Sequence, residues 1–196
     1  YASLNTLFTL APWIFLFLVP AVTMRMIADE KKSGTMELLL TRPITDLQIV
    51  VTKYLASLIL VLLALLPTLI YFFSVYQLGN PPGNVDLGGT IGSYIGLFFL
   101  AAIYAAIGIF ASSITSNQII AFIIALLTGF IFYMGFDLLS SMWIFGSIDT
   151  FVMDLGINAH YRSMSRGVID TRDIVYFISV ILIFIFLTKT IIQNRN

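Results

Sequence analysis

Residues 28–55 read ADEKKSGTMELLLTRPITDLQIVVTKYL. From Asp29 to Lys53 this stretch holds Asp29, Glu30, Lys31, Lys32, Glu37, Arg42, Asp46 and Lys53, eight of the twenty charged side chains in the chain. On both sides the sequence is almost wholly apolar. The chain as a whole is 59% hydrophobic and 10% charged, with a mean hydropathy of +1.00. An ordinary soluble domain carries roughly 25% charged residues. So little polar surface cannot cover a soluble core of this size, and the bilayer must supply the solvent. The expected fold class is therefore an all-α integral membrane protein.

A span needs about 20 mainly apolar residues. Five segments qualify: Leu7–Ala28, Lys53–Gln77, Ile91–Ser113, Gln118–Trp143 and Ile174–Ile192. Together they make one transmembrane domain over residues 1–196, with a charged segment at 29–46 and a longer tract at 144–173. Orientation follows from the excess of Lys and Arg in cytoplasmic loops. Arg25, Lys31, Lys32, Arg42, Lys53, Lys189 and Arg195 share one side, against Arg162, Arg166 and Arg172 on the other. Seven against three puts the charged segment and the C-terminus in the cytoplasm and Tyr1 outside. An odd number of spans with an exterior start leads us to expect a sixth span before Tyr1 in the complete protein.

The charged segment has its own periodicity. Thr45-Asp46-Leu47-Gln48 fits a capping box, in which the Thr45 hydroxyl accepts from the Gln48 amide and Gln48 reaches back. Leu47, Val50, Val51, Tyr54, Leu55 and Leu58 follow at helical spacing, so the second span begins near Asp46. Upstream, GTMELLLTR is long enough for about two helical turns before Pro43 pushes Arg42 out of the helical region. Met36, Leu39 and Leu40 fall on one face, with Glu37 and Thr41 off it. Periodicity alone leaves two readings open: a helix lying among headgroups, or a surface that grips a soluble partner.

FLFLVPAVTMRMIADEKKSGTMELLLTRPITDLQIVVTKYL resembles the segment after the second span of ABC-2 type transporter permeases. GINAHYRSMSRGVIDTRDIVYFISV resembles the tract leading into their last span. ASLNTLFTLAPWIFLF narrows the likeness toward the gliding-motility permease GldF and its relatives, with the nitrous-oxide-reductase maturation permeases next. The resemblance implies an ABC-2 permease bundle whose segment 29–46 is a coupling helix docked on a cytoplasmic ATPase. It maps that contact onto Glu30, Lys31, Gly34, Thr35, Met36, Glu37, Leu38, Leu39, Leu40, Arg42 and Pro43. It further implies a second permease copy or paralogue, a bacterial inner-membrane location, and an export role associated with gliding motility or secretion. A metalloenzyme-maturation permease and a non-transporting, ATP-driven membrane anchor remain alternatives. In the related permeases the tract at 144–173 forms short helices that cap the pathway; a helix resting on the outer surface is the other reading.

Nucleotide chemistry is expected elsewhere. A P-loop needs a Gly-Lys pair so that backbone amides and a lysine cradle the phosphates, and no Gly-Lys pair occurs. ATP and Mg are therefore expected on the partner, with no cofactor or metal held by this chain and no catalytic residue in it. The absence of cysteine removes disulfides, thiolate metal sites and cysteine nucleophiles. Balanced charge, ten basic against ten acidic, gives no reason to expect nucleic acid. Gly92 and Gly96 stand at GxxxG spacing, which serves close helix packing either within one bundle or against a second copy. Asp137 is the one acid near a span. A carboxylate at the bilayer centre costs about 2.5–3.5 kcal/mol, so Asp137 reads as an outer-interface residue or a pathway residue. His160, the single histidine, reads as a structural or interfacial residue.

Overall fold

The computed structural model describes residues 4–36, 44–79, 85–141 and 149–194. Among these the chain forms helices and no strand. Helix α1 (Asn5–Thr23) breaks at residues 24–27 and resumes as the short α2 (Ala28–Ser33). Then come α3 (Asp46–Leu78) and α4 (Leu87–Ile114). Helix α5 (Gln118–Phe130) runs through a wider π-turn at Ile131–Gly135 into α6 (Phe136–Ser141). Two short helices follow, α7 (Asp149–Asp154) and α8 (Ile157–Met164), before α9 (Thr171–Gln193). Among the described residues five helical stretches are long and apolar enough to cross a bilayer: Asn5–Ser33, Asp46–Leu78, Leu87–Ile114, Gln118–Ser141 and Thr171–Gln193.

Each of the last four spans starts at a polar side chain that satisfies an orphan backbone amide. Thr45 accepts from the Gln48 amide at 3.3 Å while Gln48 Oε1 accepts from the Thr45 amide at 3.0 Å, the reciprocal capping box read from the sequence. Asp86 accepts from Gly89, Asn117 from Ile119, and Asp170 from Arg172. These caps move two boundaries outward. The third span starts at Leu87 rather than Ile91, and the last at Thr171 rather than Ile174. Hydropathy cannot see a cap, so the apolar window placed both starts too late.

The fold is arranged around α4. Within its most apolar window 78% of residues are buried, against 11% for α3. Helices α1, α3, α5, α8 and α9 all pack on α4. Lipid is as apolar as leucine, so helices in a bilayer associate through close packing rather than by escaping solvent. That favours small side chains at the centre, and Gly92, Gly96, Ala101, Ala102, Ala105, Ala106, Gly108 and Ala111 are all buried along α4. Phenylalanines fill the wider gap to α9, with ring centroids 5.5 Å apart for Phe99 and Phe177 and 5.4 Å for Phe110 and Phe184. The outer side of α3 presents Ile59, Leu62, Leu63, Leu66, Ile70 and Phe73, an apolar surface suited to lipid.

Gly92 meets the chain's own backbone. A Cβ there would fall 2.7 Å from the Gly167 Cα and 2.9 Å from the Met164 carbonyl oxygen. Gly167 itself has φ +82°, a left-handed conformation that glycine adopts without a Cβ clash. At Gly96 a Cβ would lie 2.9 Å from the Met164 Cβ. The GxxxG face is thus occupied by α8 and the turn after it. Of the two roles open in the sequence, this geometry is packing within one bundle.

Candidate functional site

The charged end of the bundle is built around the break between α1 and α2. Restarting a helix at Ala28 leaves amides without helical acceptors, which is costly away from water. One buried hydroxyl resolves this. Ser112 Oγ, on α4, accepts from the amides of Ile27 (3.0 Å) and Ala28 (2.9 Å) and donates to the carbonyl of Met24 (2.9 Å). A hydroxyl has one proton and two lone pairs, so Ser112 is fully used.

Charged side chains then brace α2 against three other spans. Lys53 Nζ, on α3, lies 2.5 Å from Glu30 Oε1 and 2.7 Å from the carbonyl of Met26. Both partners of this pair are largely shielded, with side chains 15% and 27% exposed, so screening weakens it less than a surface pair. Lys31 donates to the carbonyl of Ser113 on α4, and the Gln118 amide at the start of α5 donates to Asp29. Helix α2 closes at Gly34, where φ +73° gives the left-handed cap that glycine favours. The Ser33 and Thr35 hydroxyls are 2.8 Å apart, and Met36 is buried.

Of the sequence-derived contact residues, Glu30, Lys31, Gly34, Thr35 and Met36 are therefore placed. Glu30 and Lys31 brace the bundle, so they are committed inward as well as being near the rim. Glu37, Leu38, Leu39, Leu40, Arg42 and Pro43 lie outside the described residues. Missed in the sequence were Ser112 and Lys53. The signal for Ser112 was present: a Ser-Ser pair in an otherwise apolar span must bond to something, because an unsatisfied hydroxyl there is expensive.

The opposite end is closed by α7 and α8. Helix α8 buries Ile157, Tyr161 and Met164 into the bundle, so this part of the tract does not rest on the surface. The Tyr161 hydroxyl donates to the carbonyl of Phe8 on α1 at 2.8 Å, and Ser93 on α4 donates to the carbonyl of Ser165 at 2.9 Å. Burial pushes the Tyr161 phenol above its ordinary range, so it remains a protonated donor at neutral pH. Asn158 donates to Asp137 Oδ2, tying α6 to α8. His160 is buried, with Nδ1 2.7 Å from Asp173 Oδ1 and Nε2 2.8 Å from the carbonyl oxygen of Asp154. Its ring stacks on Tyr176 at 3.9 Å. His160 thereby joins α7, α8 and α9, an arrangement that the sequence separates too widely to reveal.

Between α1, the π-turn and α8 lies an open cavity of about 400 Å³. Asn5, Thr9, Asn158, Arg162 and Arg166 contribute to its polar wall, and Trp13 and Tyr133 to its aromatic one. The π-turn brings Tyr133 inward, where its ring meets Trp13 edge-on at 5.7 Å.

Five apolar helices, with the connection between the first two built into the bundle by hydrogen bonds and an ion pair, define a multi-pass helical membrane protein. A family model described as ABC-2 family transporter protein matches residues 6–150. That is well over half of the chain, and the chain belongs to this family. It is the transmembrane permease subunit of an ABC transporter, and membership implies partnership with ABC ATPase subunits in general. The match takes in α1 to α6 and the whole charged segment, while α8 and α9 lie beyond it. No curated protein matches the chain.

Proposed function

We propose that this permease drives export by passing ATP-dependent closure of separate ATPase subunits into its spans through segment 29–46. The observation that supports this reading is the bracing of α2. Lys53, Ser113 and Gln118 hold Glu30, Lys31 and Asp29 to α3, α4 and α5, and Ser112 fixes the break just before them that joins the segment to α1. A load applied to the segment is shared at once by four spans. A helix merely floating among headgroups has no use for such attachments. Closure of the ATPases would then tilt the spans as rigid bodies between inward- and outward-open pathways.

ATP and Mg sit on the partner subunits, and a second permease copy or paralogue completes the transporter. The Lys and Arg asymmetry supports a cytoplasmic side for the segment and the C-terminus, and the family likeness supports a bacterial inner membrane. The likeness to gliding-motility permeases favours service in gliding or secretion.

Changing Leu39 and Leu40 together to Asp tests the coupling. Burying two unpaired carboxylates in an apolar docking groove costs several kcal/mol, enough to lose the contact. The variant is expected to insert normally yet no longer retain its ATPase during purification. Asp changes at Asn84 and Val85 are the control and should leave the complex intact. Retention of the ATPase by the Leu39/Leu40 variant would return segment 29–46 to an interfacial helix.

A further inference from the structure

The cavity at the far end is not used by the coupling reading, and its lining has a chemical direction. Asn5 opens α1, and Trp13 lies eight residues further along the same helix. At 1.5 Å per residue the lining therefore runs about 12 Å along the helix axis. Asn5, Arg162 and Arg166 of the lining are exposed, Trp13 is 37% exposed about two turns further along α1, and Tyr133 and Asn158 are buried. Arg162 lies in the last turn of α8 and Arg166 in the turn that follows it, and both line the cavity. Among the described residues neither arginine joins an ion pair, and no carboxylate lines the cavity. Two exposed guanidinium groups thus share the cavity with two aromatic rings, while Asp137 stands behind the wall, bonded to Asn158. Tyr104, its ring centroid 6.5 Å from that of Tyr133, holds a buried hydroxyl with no hydrogen-bond partner among the described residues.

From this geometry we infer that the cavity binds an anionic amphiphile, an oxyanion headgroup held by Arg162 and Arg166 with its apolar body laid against Trp13 and Tyr133. Arginine matches phosphate and carboxylate through paired N–H donors, which an isolated ammonium cannot do. A free oxyanion would engage only the arginines and leave the aromatic rings unused. A neutral apolar molecule would leave the two charges unanswered. An interfacial belt of Trp and Tyr accounts for the exposed edge of Trp13, but Tyr133 is buried and both rings line the cavity.

The chain supplies its own reporter. It has two tryptophans, Trp13 and Trp143, so Trp143→Phe leaves emission from the cavity alone. The purified chain in neutral detergent, without any ATPase, is titrated with dihexanoyl phosphatidylglycerol, dihexanoyl phosphatidylcholine and inorganic phosphate. Failure here is therefore separate from failure of the coupling proposal. The expected result is a saturable change in Trp13 emission with phosphatidylglycerol, about tenfold tighter than with phosphatidylcholine. The preference should shrink as salt is raised, since part of it is screened charge. R162Q/R166Q should lose the preference for the anionic headgroup, and R162K/R166K should keep part of it. Equal affinity for the two lipids, or an unaltered preference in R162Q/R166Q, would overturn the proposal. Inorganic phosphate binding as tightly as phosphatidylglycerol would overturn the amphiphile and assign the arginines to a free oxyanion. The salt series on the unsubstituted arginines keeps the test open if the double variants fail to fold.

Discussion

The Tyr161 hydroxyl donates to the carbonyl of Phe8, the one carbonyl that Pro12 leaves without its helical donor. Proline has no N–H, so a proline at position 12 frees the acceptor four residues earlier. Inside a membrane such an acceptor must be satisfied from elsewhere. Here α8 reaches across the bundle to do it, and the same bond fixes one wall of the cavity.

Tyr161→Phe should therefore lower stability in detergent by about 1–2 kcal/mol, the cost of a lost bond that leaves a buried partner unpaired. Pro12→Ala restores an amide at position 12 that bonds to Phe8 within the helix. In that background Tyr161→Phe should cost much less. A double-mutant cycle read from unfolding midpoints isolates the coupling. An equal cost in both backgrounds would show that Tyr161 acts through packing and not through this carbonyl.

At the charged end, Ser112 and Ser113 are neighbours with different duties. Ser112→Ala leaves the amides of Ile27 and Ala28 and the carbonyl of Met24 without their partner. The expected loss is about 2–4 kcal/mol, since each buried orphan costs on the order of 1–3 kcal/mol and some relaxation follows. Ser113→Ala removes only a hydroxyl bonded to Phe110 of its own helix, because Lys31 uses the Ser113 backbone carbonyl. Its cost should stay below about 1 kcal/mol. If the coupling proposal holds, Ser112→Ala also lowers the permease-dependent ATPase rate of the assembled complex, and Ser113→Ala does not.

How far the sequence disclosed these features depends on the range of the interaction. The spans and the Thr45–Gln48 box rest on contacts within a few residues, and periodicity exposes them. The caps at Asp86 and Asp170 were equally local, yet they lie outside the apolar windows used to place the spans. The Ser112 knot joins residues more than eighty positions apart, and His160 meets Asp173 across a turn. No periodic signal encodes either. The GxxxG pair announced a close approach without naming its partner, because any flat surface satisfies small residues. Only the fold shows that the partner is Gly167 and Met164 of the same chain.

The His160 and Asp173 pair gives a further test. Nε2 faces a carbonyl, which only accepts, so Nε2 carries the proton in the assigned network. Nδ1 makes the ring's second hydrogen bond, to the Asp173 carboxyl at 2.7 Å. Removing one partner of such a buried pair is expected to cost about 3–5 kcal/mol, whereas replacing both with apolar groups is far cheaper. His160→Phe keeps the stacking on Tyr176 but strands Asp173, and Asp173→Leu strands Nδ1. Each single change should destabilise more than the pair His160→Phe/Asp173→Leu, measured by unfolding in one detergent. Additive costs would mean that the two side chains contribute by shape alone.

Orientation rests on charge, and it is checked without perturbing the fold. The chain has no cysteine, so a single introduced thiol has no background. Ser33 closes α2 at the charged end and is exposed, and Ile169 is 45% exposed in the turn before α9, at the opposite end. Seven basic residues flank the first end against three at the second, so Ser33→Cys should resist a membrane-impermeant maleimide in intact cells and react once the cells are opened. Ile169→Cys should react in intact cells. The reverse pattern would show that the Lys and Arg asymmetry does not set the direction of this chain. Labelling of both positions from the same side would be incompatible with three spans crossing between them, since Asp46–Leu78, Leu87–Ile114 and Gln118–Ser141 separate Ser33 from Ile169. That outcome would overturn the five-span path itself.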